Sequence, residues 1–146
     1  MSEQQLRQII TTLDMRRSQF DNITRQQEMI RASIEEHLRA KETLESYSKT
    51  DEDEEMLVPV GAGVFIRVRA GKNEKAITAV GSGVLMERNM AEISTRLEAR
   101  IDDIRKTAEE LGAQAEKISS AIEELSMEAQ RQYNALQPPK QDDQKI

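Results

Sequence analysis

Helix-breaking residues are confined to a short stretch in the middle of this chain. Neither glycine nor proline occurs before Pro59, five of the six glycines fall between Gly61 and Gly83, and beyond them only Gly112 precedes Pro138. Inside a helix glycine costs about 1 kcal/mol relative to alanine and proline about 3. Two long arms almost free of both are therefore open to continuous helix, and the middle is not. The punctuation predicts helix over residues 1–50, an acidic linker at 51–56, strands over 57–86, helix over 87–136 and a disordered tail at 137–146.

The arms carry the spacing of a coiled-coil seam, apolar residues alternately three and four apart. From Leu6 this template selects Leu6, Ile9, Leu13, Arg16, Phe20, Ile23, Gln27, Ile30, Ile34, His37, Lys41 and Leu44, eight of them apolar. In the second arm it selects Met90, Ser94, Leu97, Ile101, Ile104, Ala108, Leu111, Ala115, Ile118, Ile122, Leu125, Ala129, Gln132 and Leu136, twelve of them apolar. Residues between the seam positions are mostly polar, so each stripe suits one partner helix rather than a broad core. Composition agrees: 33% of residues are charged and only 3% aromatic, against about 25% charged in an average globular domain. At 1.5 Å per residue, helices over about 5–47 and 87–136 are roughly 65 and 75 Å long. Near-matched lengths predict an antiparallel pair with both chain termini at its far end. Ser2 and Gln5 have capping-box spacing for a helix start, and the polar seam residues Arg16, Gln27, His37 and Lys41 set the alignment.

The middle changes period. Leu57-Val58-Pro59-Val60 leads to the partly alternating Phe65-Ile66-Arg67-Val68-Arg69, and Ala76-Ile77-Thr78-Ala79-Val80 and Val84-Leu85-Met86 add two further strand candidates around a turn at Gly71-Lys72-Asn73-Glu74. Val60-Gly61-Ala62-Gly63-Val64 returns about twenty residues later as Val80-Gly81-Ser82-Gly83-Val84. The repeat predicts four short strands in two hairpins, with the pairing left open. Such small sheets cannot bury their own faces and have open edges, so they need other sheets to pair with.

Several function classes lack their chemistry. A net charge of −6 opposes the phosphate contacts on which nucleic-acid affinity depends. With no cysteine and one histidine, thiolate catalysis and the usual zinc sites are excluded. Gly61-Ala62-Gly63 has neither the third glycine before a helix nor the lysine of a phosphate loop, and reads as a strand turn. The acidic run at 51–55 lacks the spacing of a calcium loop and reads as a solvated linker that shields a sheet edge. His37 has no cleft in a two-helix seam, and no serine or threonine has an evident base and orienting acid. Met1-Ser2-Glu3-Gln4-Gln5 is not the basic start of an export signal, and no uncharged stretch approaches the length of a membrane span. The expectation is a soluble protein that is no enzyme and uses no cofactor or metal. What remains is a set of apolar residues outside the seam register near the chain ends: Ile10, Met15, Met127 and Tyr133. Methionine and short apolar patches suit weak, adaptable contact with varied partners.

With these parts in place, the sequence resembles the alpha class of the prefoldin family, most closely its archaeal form. The resemblance covers nearly the whole chain and is carried by Leu57-Val58-Pro59-Val60-Gly61-Ala62-Gly63-Val64-Phe65 and by Val80-Gly81-Ser82-Gly83-Val84 entering the second helix. Two hairpins between the helices fit the alpha class, whereas the beta class has one; Val60 stands where the family pattern has leucine. The resemblance implies a fold that is mainly α with a small β insert, a long antiparallel coiled coil whose hairpins oligomerise into a β-barrel platform. It further implies a hexamer of two alpha and four beta subunits that holds unfolded client proteins at the coiled-coil tips without ATP and passes them to a group II chaperonin in the cytoplasm. On that basis Val58, Val60, Val64, Phe65, Ile66, Val68, Ile77, Val80, Val84 and Leu85 carry assembly, and Leu6, Ile9, Ile10, Leu13, Leu125, Met127, Tyr133 and Leu136 line the tips. Two rivals are a passive coiled-coil scaffold or tether and a polymerase-assisting factor with an acidic tip. The scaffold has no use for exposed tip residues. The second needs its acidic residues at the tip, whereas the run at 51–55 lies at the helix-to-sheet junction.

Overall fold

A computed structural model describes residues 3–71 and 74–137. Helix α1 (Glu3–Ser48) is followed by strands β1 (Glu55–Gly61), β2 (Val64–Arg69), β3 (Lys75–Gly81) and β4 (Val84–Asn89), and then by helix α2 (Met90–Leu136). The fold class expected from the sequence is borne out: two long helices with two small antiparallel hairpins between them. The Ser2–Gln5 capping pair, the turn through Lys72 and Asn73 and the tail from Pro138 onward lie outside the described residues. Among the described residues no helix is long and apolar enough to cross a membrane.

The chain divides into two compact units, Met1–Ile30 with Thr107–Ile146, and Arg31–Lys106. In the first, the helices run antiparallel: Ile9 and Thr12 share a groove with Leu125 and Gln132, and Ile23 shares one with Gln114 and Ile118. Leu13, Ile23 and Leu111 are its buried apolar residues, and Leu6, Phe20, Ile30, Ile118, Ile122 and Leu125 are half-buried beside them. Burial is shallow because each helix has a neighbour on one side only; among the described residues no large side chain is shielded completely.

In the second unit α1 and α2 again run antiparallel, Lys41 Nζ lying 2.7 Å from Glu98 Oε1, and Tyr47 and Ser48 sharing a groove with Met90 and Ala91. Ile93 and Ile101 are buried on α2. The Tyr47 hydroxyl donates to the Gly71 carbonyl at 2.6 Å, tying the end of α1 to the segment that follows β2.

The internal repeat is structural. β1 pairs with β2 and β3 with β4, and every register pair of the first hairpin recurs twenty residues later in the second, from Glu55↔Arg69 and Lys75↔Asn89 to Gly61↔Val64 and Gly81↔Val84. Each two-residue turn has both central residues at positive φ: Ala62 at 52° with Gly63 at 75°, and Ser82 at 50° with Gly83 at 74°. That is the mirror-image turn whose twist matches a hairpin, so the glycines serve chain reversal. Backbone bonds continue the ladders outward, Ala70 N to Glu54 O at 2.9 Å and Met90 N to Glu74 O at 2.8 Å. The acidic run accordingly ends inside β1, which begins at Glu55, and the strand signal after Val84 continues to Asn89, three residues past the expected boundary.

Candidate interaction surfaces

The hairpins present apolar residues where a single chain has nothing to cover them. On one face of the first, the register places Leu57 opposite Arg67 and Pro59 opposite Phe65; on the second it places Ile77 opposite Glu87 and Ala79 opposite Leu85. Leu57, Phe65, Ile77 and Leu85 are 62%, 57%, 71% and 67% exposed. The opposite faces are half-buried near the strand bases, at Met56, Val58 and Val68 and at Ala76, Thr78 and Arg88, and open toward the turns at Val60, Val64 and Ile66 and at Val80, Val84 and Met86. Strand alternation explains the division, since one face of each hairpin looks inward and the other outward. Each strand also has one unpaired edge, because each sheet has two strands. Of the ten residues expected to carry assembly, eight are exposed, and Val58 and Val68 are half-buried on the inner faces. Leu57 and Met86, on opposite kinds of face in the two hairpins, are exposed as well and lie outside that set; strand alternation with Phe65 is the signal for Leu57.

The unit holding the helix ends offers a second surface. Of the expected tip residues, Ile10, Met127, Tyr133 and Leu136 are exposed, Leu6, Ile9 and Leu125 half-buried, and Leu13 buried. Met15 and Met29 are exposed on α1 as well, and Met29 had no periodic signal to mark it. Ile9 and Leu125, with Gln5, Gln8, Thr12 and Gln132, line a groove of about 500 Å³.

The polar seam positions differ from one another. Lys41 reaches across to Glu98, and that hydrogen bond holds its pKa above the ordinary lysine value. His37 is half-buried with Nδ1 2.6 Å from the Ser33 carbonyl, an oxygen that only accepts, so this nitrogen carries the proton. Arg16 is exposed and donates to Gln19 of its own helix at 3.1 Å. The carboxylates at 51–55 are exposed, and the described residues contain no group of three or more His, Asp or Glu placed to hold a metal ion.

Residues 17–135 match the sequence model of the prefoldin subunit family. The chain belongs to the prefoldin family. Prefoldin is a chaperone family, and the alpha-class resemblance is borne out by relatives named prefoldin subunit alpha in several archaea. That of Methanopyrus kandleri is 40% identical over 89 residues, covering 61% of this chain and 54% of that protein, so the chain spans about half the length of this relative. That of Methanococcus maripaludis is 30% identical over 106 residues, covering 73% of this chain and 72% of the relative. Two solved structures share the fold. A chain of the filamentous prefoldin from Methanocaldococcus jannaschii superposes with a TM-score of 0.67 at 21% identity, over 81% of this chain and 98% of that one. The prefoldin beta subunit from Thermococcus strain KS-1 does so with a TM-score of 0.59 at 16% identity, over 92% and 95%.

Proposed function

We propose that the chain is the alpha subunit of an ATP-independent holdase that captures unfolded proteins at its helix-end surface and delivers them to a group II chaperonin in the cytoplasm. In this reading two alpha and four beta subunits form a hexamer whose hairpins close into a β-barrel. The observation that carries it is the exposure of Ile10, Met127, Tyr133 and Leu136 in the unit that holds the helix ends; a passive tether has no use for apolar side chains there. The open hairpin faces support the assembly half of the reading, since sheets of two strands need partners. At about 25 cal/mol per Å² of apolar area, a few such side chains per subunit bind weakly, and several subunits acting together supply affinity through effective concentration.

The test is suppression of aggregation of a denatured model protein, without nucleotide, by the chain assembled with beta subunits, against a version lacking about twelve residues at each end. Light scattering checks that both assemble. Suppression by the intact complex and its loss on truncation is the expected result. An intact assembly without effect would leave the scaffold reading in its place.

A further inference from the structure

The two hairpins share one ladder but not one inner face. The repeated register makes Val58 equivalent to Thr78 and Val68 equivalent to Arg88. Valine at both positions builds the first hairpin, so the same pairing needs neither the hydroxyl nor the guanidinium of the second. Arg88 is nevertheless drawn in, its side chain 19% exposed, and taking a charge out of water is costly unless it is paired.

The pairing that the chain itself supplies is incomplete. Thr78 and Arg88 line a cavity of about 210 Å³ with Ile93, Leu97, Arg96 and Arg100 of α2, wholly within the second compact unit. No carboxylate is among the lining residues. Beside them, Glu92 Oε1 takes both Arg88 Nη1 at 3.3 Å and Arg96 Nη2 at 3.2 Å, one oxygen for two guanidinium groups. Arg100 has no ion pair among the described residues, and Arg88 Nε has no acceptor among them. Three cations against one carboxylate leave two positive charges unmatched, in a chain whose net charge is −6.

Charge and size together define what fits. Guanidinium groups present paired N–H donors that match the oxygens of phosphate and carboxylate. A phosphate group carries about −1.5 to −2 at pH 7, which meets the unmatched charge better than a single carboxylate does. The volume lies below the roughly 300–1,000 Å³ of sites for organic ligands, so the cavity suits a small inorganic anion and not a nucleotide.

We infer that this cavity is a binding site for inorganic phosphate or pyrophosphate, held by Arg88, Arg96 and Arg100 with the Thr78 hydroxyl as a further donor. Thr78 and Arg88 belong to the second hairpin and Arg96 and Arg100 to α2, so the bound anion joins the hairpin to the helix that follows it and stabilises that junction by mass action.

The test is a phosphorus NMR titration of phosphate and, separately, of pyrophosphate with the full chain, alone and assembled with beta subunits, at an ionic strength fixed with sodium chloride. Thr78→Val with Arg88→Val gives the second hairpin the residues that already serve the first. Arg100→Gln removes the arginine without an ion pair, and Arg105→Gln removes the same charge at an exposed position of α2 outside the cavity lining. Circular dichroism checks folding, and Arg100→Gln decides the matter alone if the double variant does not fold. The expected result is saturable binding of one anion per chain, in both forms of the protein, lost in the double variant. Arg100→Gln should weaken it about tenfold, the size of one charge-assisted hydrogen bond, and Arg105→Gln, screened by salt, should stay within about twofold of the wild type. The tighter binder of the two anions shows which size the cavity takes. Absence of saturation, equal weakening by Arg100→Gln and Arg105→Gln, or equally tight binding of acetate in competition would overturn the inference. So would binding by the isolated chain that vanishes on assembly, since a neighbouring subunit would then fill the cavity. The holdase reading stands or falls separately, on aggregation suppression.

Discussion

Asn89 sets the point at which α2 begins. Its Oδ1 accepts a hydrogen bond from Ala91 N at 3.0 Å, the N-cap arrangement that satisfies one of the donors orphaned at a helix start. Replacing it with alanine should lower stability by about 1 kcal/mol in a denaturant titration, and Asn89→Asp should retain most of it. Gly63 sits at φ 75° in the first hairpin turn, where a Cβ meets no neighbouring atom and the cost is purely one of backbone conformation. Gly63→Ala should therefore destabilise by about 1 kcal/mol. Lys41 carries a pH signature. Its pKa is raised, first by the hydrogen bond to Glu98, so its contribution is fully present below the unfolded-state lysine value of about 10.4 and is lost as pH rises through the higher folded value. The difference in melting temperature between the wild type and Lys41→Met should stay constant from about pH 6 to 9 and shrink only above about pH 10.4.

At the scale of the helices, burial follows the three-four spacing. Of the twelve positions selected in the first arm, Arg16 alone is exposed; of the fourteen in the second, only Leu136 is. This regularity makes a contrast between two substitutions informative. Leu13 is 7% exposed and Met29 72% exposed on the same helix. Leu13→Ala should cost about 2–3 kcal/mol through lost burial and the cavity left behind. Met29→Ala should be within about 0.5 kcal/mol of neutral, as alanine suits a helix surface. Unfolding monitored at 222 nm would separate them, and equal losses would mean that the seam register is wrong. The hairpins behave as a second kind of element. Their repeat was visible as Val-Gly-small-Gly-Val, but its full reach, from residue 55 to 69 and again from 75 to 89, was hidden because Val68 and Arg88 occupy equivalent places with unlike side chains.

For the molecule as a whole, the balance lies between shallow internal burial and wide apolar exposure. Ten large apolar side chains of the two hairpins are open to solvent, more than the helices expose, and this is the surface through which assembly is proposed to proceed. Phe65→Ser combined with Leu85→Ser should prevent co-assembly with beta subunits, read as a fall in mass by light scattering, while the helical circular dichroism signal stays at the wild-type level. Retention of the full assembled mass would remove these faces from the assembly surface. The two proposed interaction surfaces sit in different compact units, so variants of one should leave a readout for the other: hairpin substitutions should act on mass, and substitutions at Ile10, Met127 or Tyr133 should act on aggregation suppression with mass unchanged.

Features that repeat along the chain are legible in its sequence. The two helices, both seams, the number of strands and the glycine turns depend on spacings of two, three and four residues, and a local rule obeyed many times over leaves little freedom. What residues owe to distant neighbours was not readable in that way. Lys41 meets Glu98 across 57 positions of sequence, α2 waits for Asn89 because β3 holds residues 84–89 in a ladder, and Gln132 is buried where α1 returns beside α2, its oxygen without a donor among the described residues. A polar residue at a seam position looks the same in sequence whether it reaches across like Lys41, turns outward like Arg16 or is buried like Gln132. Its fate is settled by the geometry of the other helix, which no local period encodes.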